Sequence, residues 1–177
     1  MARGISLRSF EPGDAGAVHR WFNAPGATAN LLEHRDSFSE ADAEAWVERA
    51  MKTDGGDRKW AVMVEGIDEP VGFTALYGVD GAAAPELGAV LGDDRIRGME
   101  IGRENERLTN KKAYEEFGAH KVYGRIPAPN ESAKKAVIYN GWTQEGVLRN
   151  HIRHEGELID VELWGGFPED QPPEPED

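Results

Sequence analysis

The sequence predicts an α+β fold, or mixed α/β fold, in which strands dominate and helices lie between them. Residues 5–10 alternate apolar and polar side chains, as a half-buried strand does. Residues 39–42 have the pattern of a capping box, and the apolar stripe after them predicts a helix. Residues 59–64 and 71–77 are strand-like runs with a Gly- and Pro-containing connection between them, which predicts a hairpin.

The remaining elements are expected in a regular order along the chain. Pro12 and Gly13 end the first strand, and a helix is expected to run through Trp21 and Phe22. Residues 23–36 lack a clean period, which indicates a surface loop. The later elements are a strand at 86–91, a helix at 103–117, a strand at 121–126, a helix at 130–140 and a closing hairpin of 142–152 with 158–164. In the helix at 103–117, Leu108, Ala113 and Phe117 are the expected core residues.

Length and composition indicate a single domain with a short tail. The chain has 177 residues, of which 39% are hydrophobic, which is enough for one ordinary core. Residues 167–177 are rich in proline and carry only acidic ionisable side chains, so we expect a disordered tail there. The predicted domain therefore spans residues 1–166.

Charge and cysteine content narrow the classes of function. The formal net charge of −13 opposes broad attraction to nucleic acid or to an anionic membrane surface. The absence of cysteine excludes disulfides, thiolate zinc sites and cysteine nucleophiles. Because the sequence contains no long charge-free apolar run, we expect a soluble, cytoplasmic protein with no membrane partner.

Three sequence blocks, in this order, resemble the GNAT (Gcn5-related N-acetyltransferase) superfamily, particularly its ribosomal-protein and spermidine N-acetyltransferase branch. Residues 86–104 resemble the family's fourth strand, phosphate loop and following helix. Residues 130–142 resemble its Asn-initiated helix ending in Gly and an aromatic residue. Residues 145–149, with Gly156 and Asp160, resemble its C-terminal hairpin. The resemblance covers about residues 5–164 and implies a mostly antiparallel twisted sheet of about seven strands with about four flanking helices.

The resemblance implies that acetyl-CoA, or another acyl-CoA, is the co-substrate. A glycine-rich turn before a helix exposes backbone N–H groups to an anion, which suits the CoA pyrophosphate. The family loop maps onto residues 97–102, and Glu100 stands at its central glycine position. A carboxylate about 4 Å from a phosphate charge costs about 1 kcal/mol in water and about 4 kcal/mol at an effective dielectric of 20. Glutamate also lacks the positive-φ freedom of glycine, so the loop is open to another shape. The residues expected to bind the co-substrate are Val90, Leu91, Arg97, Gly98, Ile101, Gly102, Arg103 and Asn130.

The family reaction is direct attack of an amine on the thioester, which requires a base or a water chain to remove the amine proton. Glu86, at the start of the fourth strand, is the leading candidate base. His34 lies in the loop that lines the acceptor pocket of relatives and is a second candidate, as base or substrate contact. An exposed or ion-paired side chain explains either residue equally well.

The proton donor for the leaving thiol is unassigned by the resemblance. The tyrosine used by relatives corresponds to Val137, and Tyr139 points about 200° around the helix from that position. Asn130 is expected to cap its helix, to contact the co-substrate, or both. His151 and His154 lack a third ligand nearby in sequence, so no metal site is predicted.

Three hypotheses of function stay open. The first is an N-acyltransferase, in particular an N-acetyltransferase, that acts on an amine of a small molecule or a protein N-terminus. The second keeps the fold but takes an aminoacyl-tRNA or carrier-protein thioester as donor; a patch of Lys111, Lys112, Lys121, Lys134 and Lys135 would be needed for tRNA. The third is a non-catalytic module that binds an amine, a peptide or a second copy of the chain as a homodimer.

Overall fold

The computed structural model describes residues 4–24, 37–53, 55–81, 83–96, 98–154 and 156–173. Within these ranges, seven strands form one sheet that is accompanied by four α-helices. The strands are β1 (Ile5–Arg8), β2 (Arg58–Val64), β3 (Gly72–Tyr77), β4 (Glu86–Leu91), β5 (Val122–Pro127), β6 (Thr143–His154) and β7 (Glu157–Gly166). The helices are α1 (Ala15–Asn23), α2 (Glu40–Ala50), α3 (Ile101–Lys111) and α4 (Glu131–Tyr139).

The sheet is antiparallel except at one place. Its strand order is β1-β2-β3-β4-β5-β7-β6. Neighbouring strands pair antiparallel throughout, apart from β4 and β5, which run parallel. This arrangement confirms the predicted fold class and the expected number of strands and helices.

The parallel pair β4–β5 is joined only at its beginning. Glu86 is in register with Tyr123, and the Tyr123 backbone N–H donates to the Pro85 carbonyl at 3.2 Å. No later residue of either strand, all of which are described, is in register with the other strand. The main chain of β4 beyond Glu86 therefore borders a gap instead of a neighbouring strand.

Helix starts follow the capping signals in the sequence. Ser39 Oγ accepts a hydrogen bond from the Asp42 N–H at 3.1 Å, and Asp42 Oδ2 accepts one from the Ser39 N–H at 2.9 Å. This is the reciprocal capping box predicted for α2. Asn130 Oδ1 accepts from the Ala133 N–H at 3.1 Å, which confirms its predicted role as the N-cap of α4.

The apolar core is divided into three clusters. One lies under α1 and α2 and includes Trp21, Val47 and Phe73. A second lies between β5, β7 and α4 and includes Trp142 and Trp164. The third consists of the buried residues Val62, Val64, Val71, Ile96 and Ile101. The site described below lies between the second and third clusters.

The helix expected at 103–117 differs from the prediction in its bounds and in its buried face. It begins at Ile101, and a π-helical turn, Lys112–Glu116, follows its last α-helical residue. Of the expected core residues, Ala113 is buried, and Phe117 is partly buried and packs against the second core cluster. Leu108 is only partly buried and belongs to none of the three clusters, so its assignment to the core is wrong. The buried residues of α3 are Ile101 and the polar Asn105, Glu106, Thr109 and Asn110.

Part of the predicted disordered tail packs against the domain. Pro168–Asp170 forms a 3-10 turn, and the Gln171 amide donates to the Asn140 carbonyl at 2.8 Å. The Asn110 amide in turn donates to Gln171 Oε1 at 3.0 Å. The expectation of a tail that is disordered from residue 167 is therefore wrong for these residues, because they satisfy buried polar groups of α3 and α4. Within the described residues, every helix is too short or too polar to cross a bilayer.

Candidate active site

Two connected cavities form a channel along β4 and the first turns of α3. The larger cavity, of about 510 Å³, lies at the N-terminus of α3. The smaller cavity, of about 260 Å³, fills the gap between β4 and β5. Both are bordered by Leu91, Gly102, Ser132 and Ala136, so one elongated ligand can occupy both. We call the two parts the loop cavity and the strand cavity.

The strand cavity has mostly apolar walls. β4 contributes residues 87–91, among them Val90 and Leu91, and β5 contributes residues 124–127. Helix α4 closes it with Ala133, Ala136 and Val137, and Asn130 stands at the edge. Val90 and Leu91, which the sequence analysis expects to contact the co-substrate, both line this cavity.

The loop cavity lies beside a turn with left-handed backbone conformation. The last residue of this turn is Glu100 instead of a glycine. Gly98 has φ of 76°, and Glu100, the N-cap of α3, has φ of 55°. Glu100 therefore adopts the backbone conformation for which glycine is preferred, at a cost of about 1–2 kcal/mol. The expected change of loop shape does not follow, because α3 still begins at Ile101 and its first residues border the cavity.

Charges of both signs surround the loop cavity. Arg103 Nη1 lies 3.0 Å from Glu100 Oε1, and its guanidinium also lies 4.7 Å from the ring centre of Tyr139. The side-chain hydrogen bond from Arg95 lowers the pKa of Asp93, which keeps that carboxylate ionised and paired. Lys135 on α4 adds a second cation to the lining. The carboxylate of Glu100 is thus paired with Arg103 at the protein surface, beside the loop cavity.

Glu86, the predicted base, is held by β5. Its Oε1 accepts from Arg125 Nε at 2.7 Å, and its Oε2 accepts from Arg125 Nη2 at 3.2 Å and from the Tyr123 hydroxyl at 3.3 Å. Burial and the neighbouring Glu86 charge raise the pKa of Tyr123. An ionised carboxylate has about four acceptor positions, so these three hydrogen bonds hold Glu86 in place and leave about one position, on Oε1, for a further donor.

A buried carboxyl group in the strand cavity was missed at the level of sequence. Glu106 on α3 is only 5% exposed and lines this cavity together with Asn105. Burial raises the pKa of Glu106 well above its ordinary value, and a hydrogen bond with the Asn140 side chain opposes the rise in part. The signal available in the sequence is that the polar residues 105, 106, 109 and 110 share one helical face, but hydrophobicity gives no indication that this face is buried.

The other predicted site residues are distributed as follows. Gly98, Ile101, Gly102 and Arg103 border the loop cavity, whereas His34 and Arg97 lie outside the described residues. Val137 lines the strand cavity, while Tyr139 is 54% exposed on another side of α4, in agreement with its predicted direction. Among the described residues, no group of three or more His, Cys, Asp and Glu side chains is arranged to hold a metal ion, and this includes the surroundings of His151 and His154.

Comparison with known proteins identifies the family. Residues 5–143 match the family model described as the acetyltransferase (GNAT) domain. This chain is a member of the GNAT acetyltransferase family. The family resemblance, the enzyme class and the acetyltransferase activity expected from the sequence are thereby confirmed. A search of curated proteins finds no match to the chain.

Solved structures share the GNAT fold along nearly the whole chain. A spermidine N-acetyltransferase from Vibrio cholerae, solved in complex with CoA and spermine, superposes with a TM-score of 0.83 at 18% identity, covering 94% of this chain and 96% of that one. A GNAT-family acetyltransferase from Bacillus anthracis superposes with a TM-score of 0.80 at 21% identity, covering 96% and 98%. At these identities the likeness establishes the fold.

Proposed function

We propose that this GNAT enzyme transfers an acetyl group from acetyl-CoA to the primary amine of a small cationic molecule. The observation that carries the proposal is the pair of adjoining cavities, one at the N-terminus of α3 and one in the gap between β4 and β5, which share four lining residues. The two cavities suit the two parts of an acyl-CoA, an anionic phosphate end and a long, weakly polar thioester arm. The Vibrio cholerae enzyme of the same fold is described as bound to CoA and spermine.

Anion binding at the loop cavity is supported by the helix terminus and by two cations. The first backbone N–H groups of α3 have no partners within the helix, and the helix dipole favours an anion there. Arg103 and Lys135 border the same space. A phosphate group that approaches Arg103 competes with Glu100 for the same guanidinium, so binding weaker than in a glycine-containing loop is expected.

Thioester binding in the strand cavity is supported by the free edge of β4. Beyond Glu86, the main chain of β4 borders the cavity instead of β5, so its polar groups on that side are available to a ligand. Val90 and Leu91 would contact the arm, and Asn130 would contact it at the start of α4 while it caps that helix.

A cationic acceptor is favoured by charge. The formal net charge of −13 produces a negative field that attracts ammonium groups and repels polyanions. The basic patch required for a tRNA donor is largely neutralised, because four of its five lysines have carboxylate partners. Lys111 pairs with Glu115, Lys112 with Glu116, Lys121 with Glu145, and Lys134 with Glu131 and Glu162. A carrier-protein thioester remains the alternative donor, and its motivation is Glu100.

The proposal is tested by calorimetry and by an acceptor screen. Acetyl-CoA is titrated into the wild-type protein, and release of CoA is then measured with polyamines, amino sugars and peptides with a free N-terminus. We expect micromolar binding and turnover with at least one polyamine. Turnover only with peptides would correct the acceptor class. Absence of acetyl-CoA binding to both the wild type and the Glu100→Gly variant would contradict the proposed donor and favour a non-catalytic role.

A further inference from the structure

The strand cavity is lined by the carboxyl group of Glu106, which belongs neither to the phosphate loop nor to any of the ion pairs described above. Glu106 Oε1 has no hydrogen-bond partner among the described residues, although the residue is only 5% exposed. The residue lines the strand cavity from the second turn of helix α3. A buried polar atom without a partner requires an explanation, and on a residue that lines a cavity one explanation is a role toward a ligand.

The surroundings of Glu106 favour the neutral form of its carboxyl group. From α4, the uncharged Asn140 side chain is its hydrogen-bond partner, and burial raises the pKa of the Glu106 carboxyl. Tyr114 lies on the following π-helical turn. Its pKa is raised by burial and by the charges of Glu106 and of Asp170 and Glu169 in the C-terminal turn. Across the cavity, Arg125 is the cation that borders the same space, and its guanidinium is engaged by Glu86.

The chemistry of acyl transfer needs a proton donor at this place. When an amine displaces a thiol, the sulfur leaves as a thiolate unless it is protonated, and a thiol has a pKa of about 8.5. A positioned acid that supplies the proton contributes about 10²–10⁴-fold to such reactions. The described residues that line the strand cavity include no tyrosine, histidine or lysine, and an arginine does not release its proton. Glu106 is the remaining candidate.

We propose that Glu106 is a catalytic acid that donates its proton to the sulfur of the departing thiol. The inference rests on the proposed acetyl transfer from acetyl-CoA. In the step, the bond between the amine nitrogen and the acyl carbon forms, and the bond between that carbon and the sulfur breaks. The nitrogen loses one proton to solvent or to a base, and the sulfur gains the proton of Glu106. The carboxylate left on Glu106 is reprotonated from solvent when the products leave.

The first test measures the protonation of Glu106 without any activity. Thermal stability is followed from about pH 4 to pH 9 for the wild type and for Glu106→Gln, which keeps the size but cannot ionise. A carboxyl with a raised folded-state pKa is neutral in both states below the unfolded pKa of about 4.3 and ionises first in the unfolded state. We therefore expect the wild type to lose stability relative to Glu106→Gln as the pH rises from about 4.3 toward the folded-state pKa.

Glu104→Gln is the matched control, because Glu104 lies on the same helix in a partly buried ion pair with Arg107. Its stability difference from the wild type should not show that loss with rising pH. The inference is overturned if Glu106→Gln and the wild type keep a constant difference across this range, since Glu106 would then be no protonated acid.

The second test measures catalysis. With an accepted amine, Glu106→Gln is expected to lower kcat about 100-fold or more with little change in the KM for acetyl-CoA. The wild-type kcat should fall at alkaline pH as Glu106 ionises, and the variant should lack this alkaline limb. Glu106→Asp, which retains a proton, should recover part of the activity.

The outcomes separate the two proposals. A wild type that releases no CoA with any amine contradicts the proposed function and the role of Glu106 with it. An active wild type with an equally active Glu106→Gln variant contradicts the role of Glu106 alone. A variant that loses activity but retains the alkaline limb also contradicts it, because a structural defect would explain the loss.

Discussion

The helices on the N-terminal side of the sheet and helix α3 bury faces of opposite character. Helices α1 and α2 bury only apolar residues, which are Ala17, Val18, Trp21, Ala43, Val47 and Ala50. Helix α3 buries one apolar residue, Ile101, and four polar ones. Both faces are excluded from water, but only the second borders the channel. The difference indicates that α1 and α2 contribute mainly to stability. The buried polar groups of α3 lower stability but place polar side chains at the site.

The polar face of α3 is only partly satisfied. Thr109 Oγ1 donates to the Asn105 carbonyl at 2.7 Å and shares a hydrogen bond of 2.9 Å with Thr74 Oγ1 on β3. In contrast, the side-chain oxygens Asn105 Oδ1, Glu106 Oε1 and Asn110 Oδ1 have no partner among the described residues. Buried polar groups without partners are costly, so substitutions on this face should behave differently from those under α1 and α2.

The largest expected effect is on the apolar side. Trp21 is 2% exposed and packs in the first core cluster, so Trp21→Ala should lower the free energy of unfolding by about 3–5 kcal/mol. Chemical denaturation measures the change. Met51→Ala is the control, since Met51 is 43% exposed and should change stability by less than about 0.5 kcal/mol. A loss below about 1 kcal/mol for Trp21→Ala would remove the contrast between the two regions.

The second effect has the opposite sign. Glu106→Leu replaces a buried carboxyl with an apolar side chain of similar size and should raise the free energy of unfolding by about 1–3 kcal/mol while it lowers kcat. Because burial raises the pKa of Glu106, the gain should be small near pH 4 and grow as the pH rises. Denaturation at several pH values measures it, and destabilisation at neutral pH would show that the polar face supports the fold.

A third, smaller effect concerns the threonine pair. Thr109→Val keeps the side-chain shape but leaves the Thr74 hydroxyl without its partner, so we expect a loss of about 1–2 kcal/mol in the free energy of unfolding. The double variant Thr74→Val with Thr109→Val should recover part of this loss. Additive losses in a double-mutant cycle would mean that the two hydroxyls do not interact.

The smallest expected effect is at the loop. Glu100→Gly removes both the left-handed strain and the carboxylate, and it should tighten acetyl-CoA binding about tenfold, or about 1.4 kcal/mol. Glu100→Gln removes the charge but keeps the strain, so it separates the two causes. Calorimetry measures both variants. Unchanged affinity in both would show that the Glu100–Arg103 pair already neutralises the charge.

Local sequence signals predicted most of the fold. The capping box of α2, the hairpin of β2 and β3, and the glycine-containing turn before α3 each depend on a few neighbouring residues, and the structure has each of them. The buried face of α3 was predicted only in part, because hydrophobicity places Ala113 and Phe117 in the core but gives no reason to bury polar residues. In the folded protein, Thr74 on β3 shares a hydrogen bond with Thr109 of the polar stripe, and the side chain of Asn140, at the C-cap of α4, bonds to Glu106.

The candidate site was also predicted only in part, because some of its contacts join residues that are distant in sequence. The loop residues Gly98 and Gly102 and the strand residues Val90 and Leu91 follow from the order of motifs along the chain. The engagement of Glu86 by Arg125, 39 residues away, and the burial of Glu106 beside Asn140 depend on long-range packing. Nothing in their local sequence indicates such partners.

The sequence by itself determined the order of strands and helices, the family and the region of the site, because periodicity, caps and motifs act over short distances in the chain. The tertiary structure alone decided which carboxyl groups are paired, which are buried and which face the channel. Those properties arise from residues distant in sequence that share a low-dielectric space, and the ionisation of a side chain depends on that space more than on its neighbours in the chain.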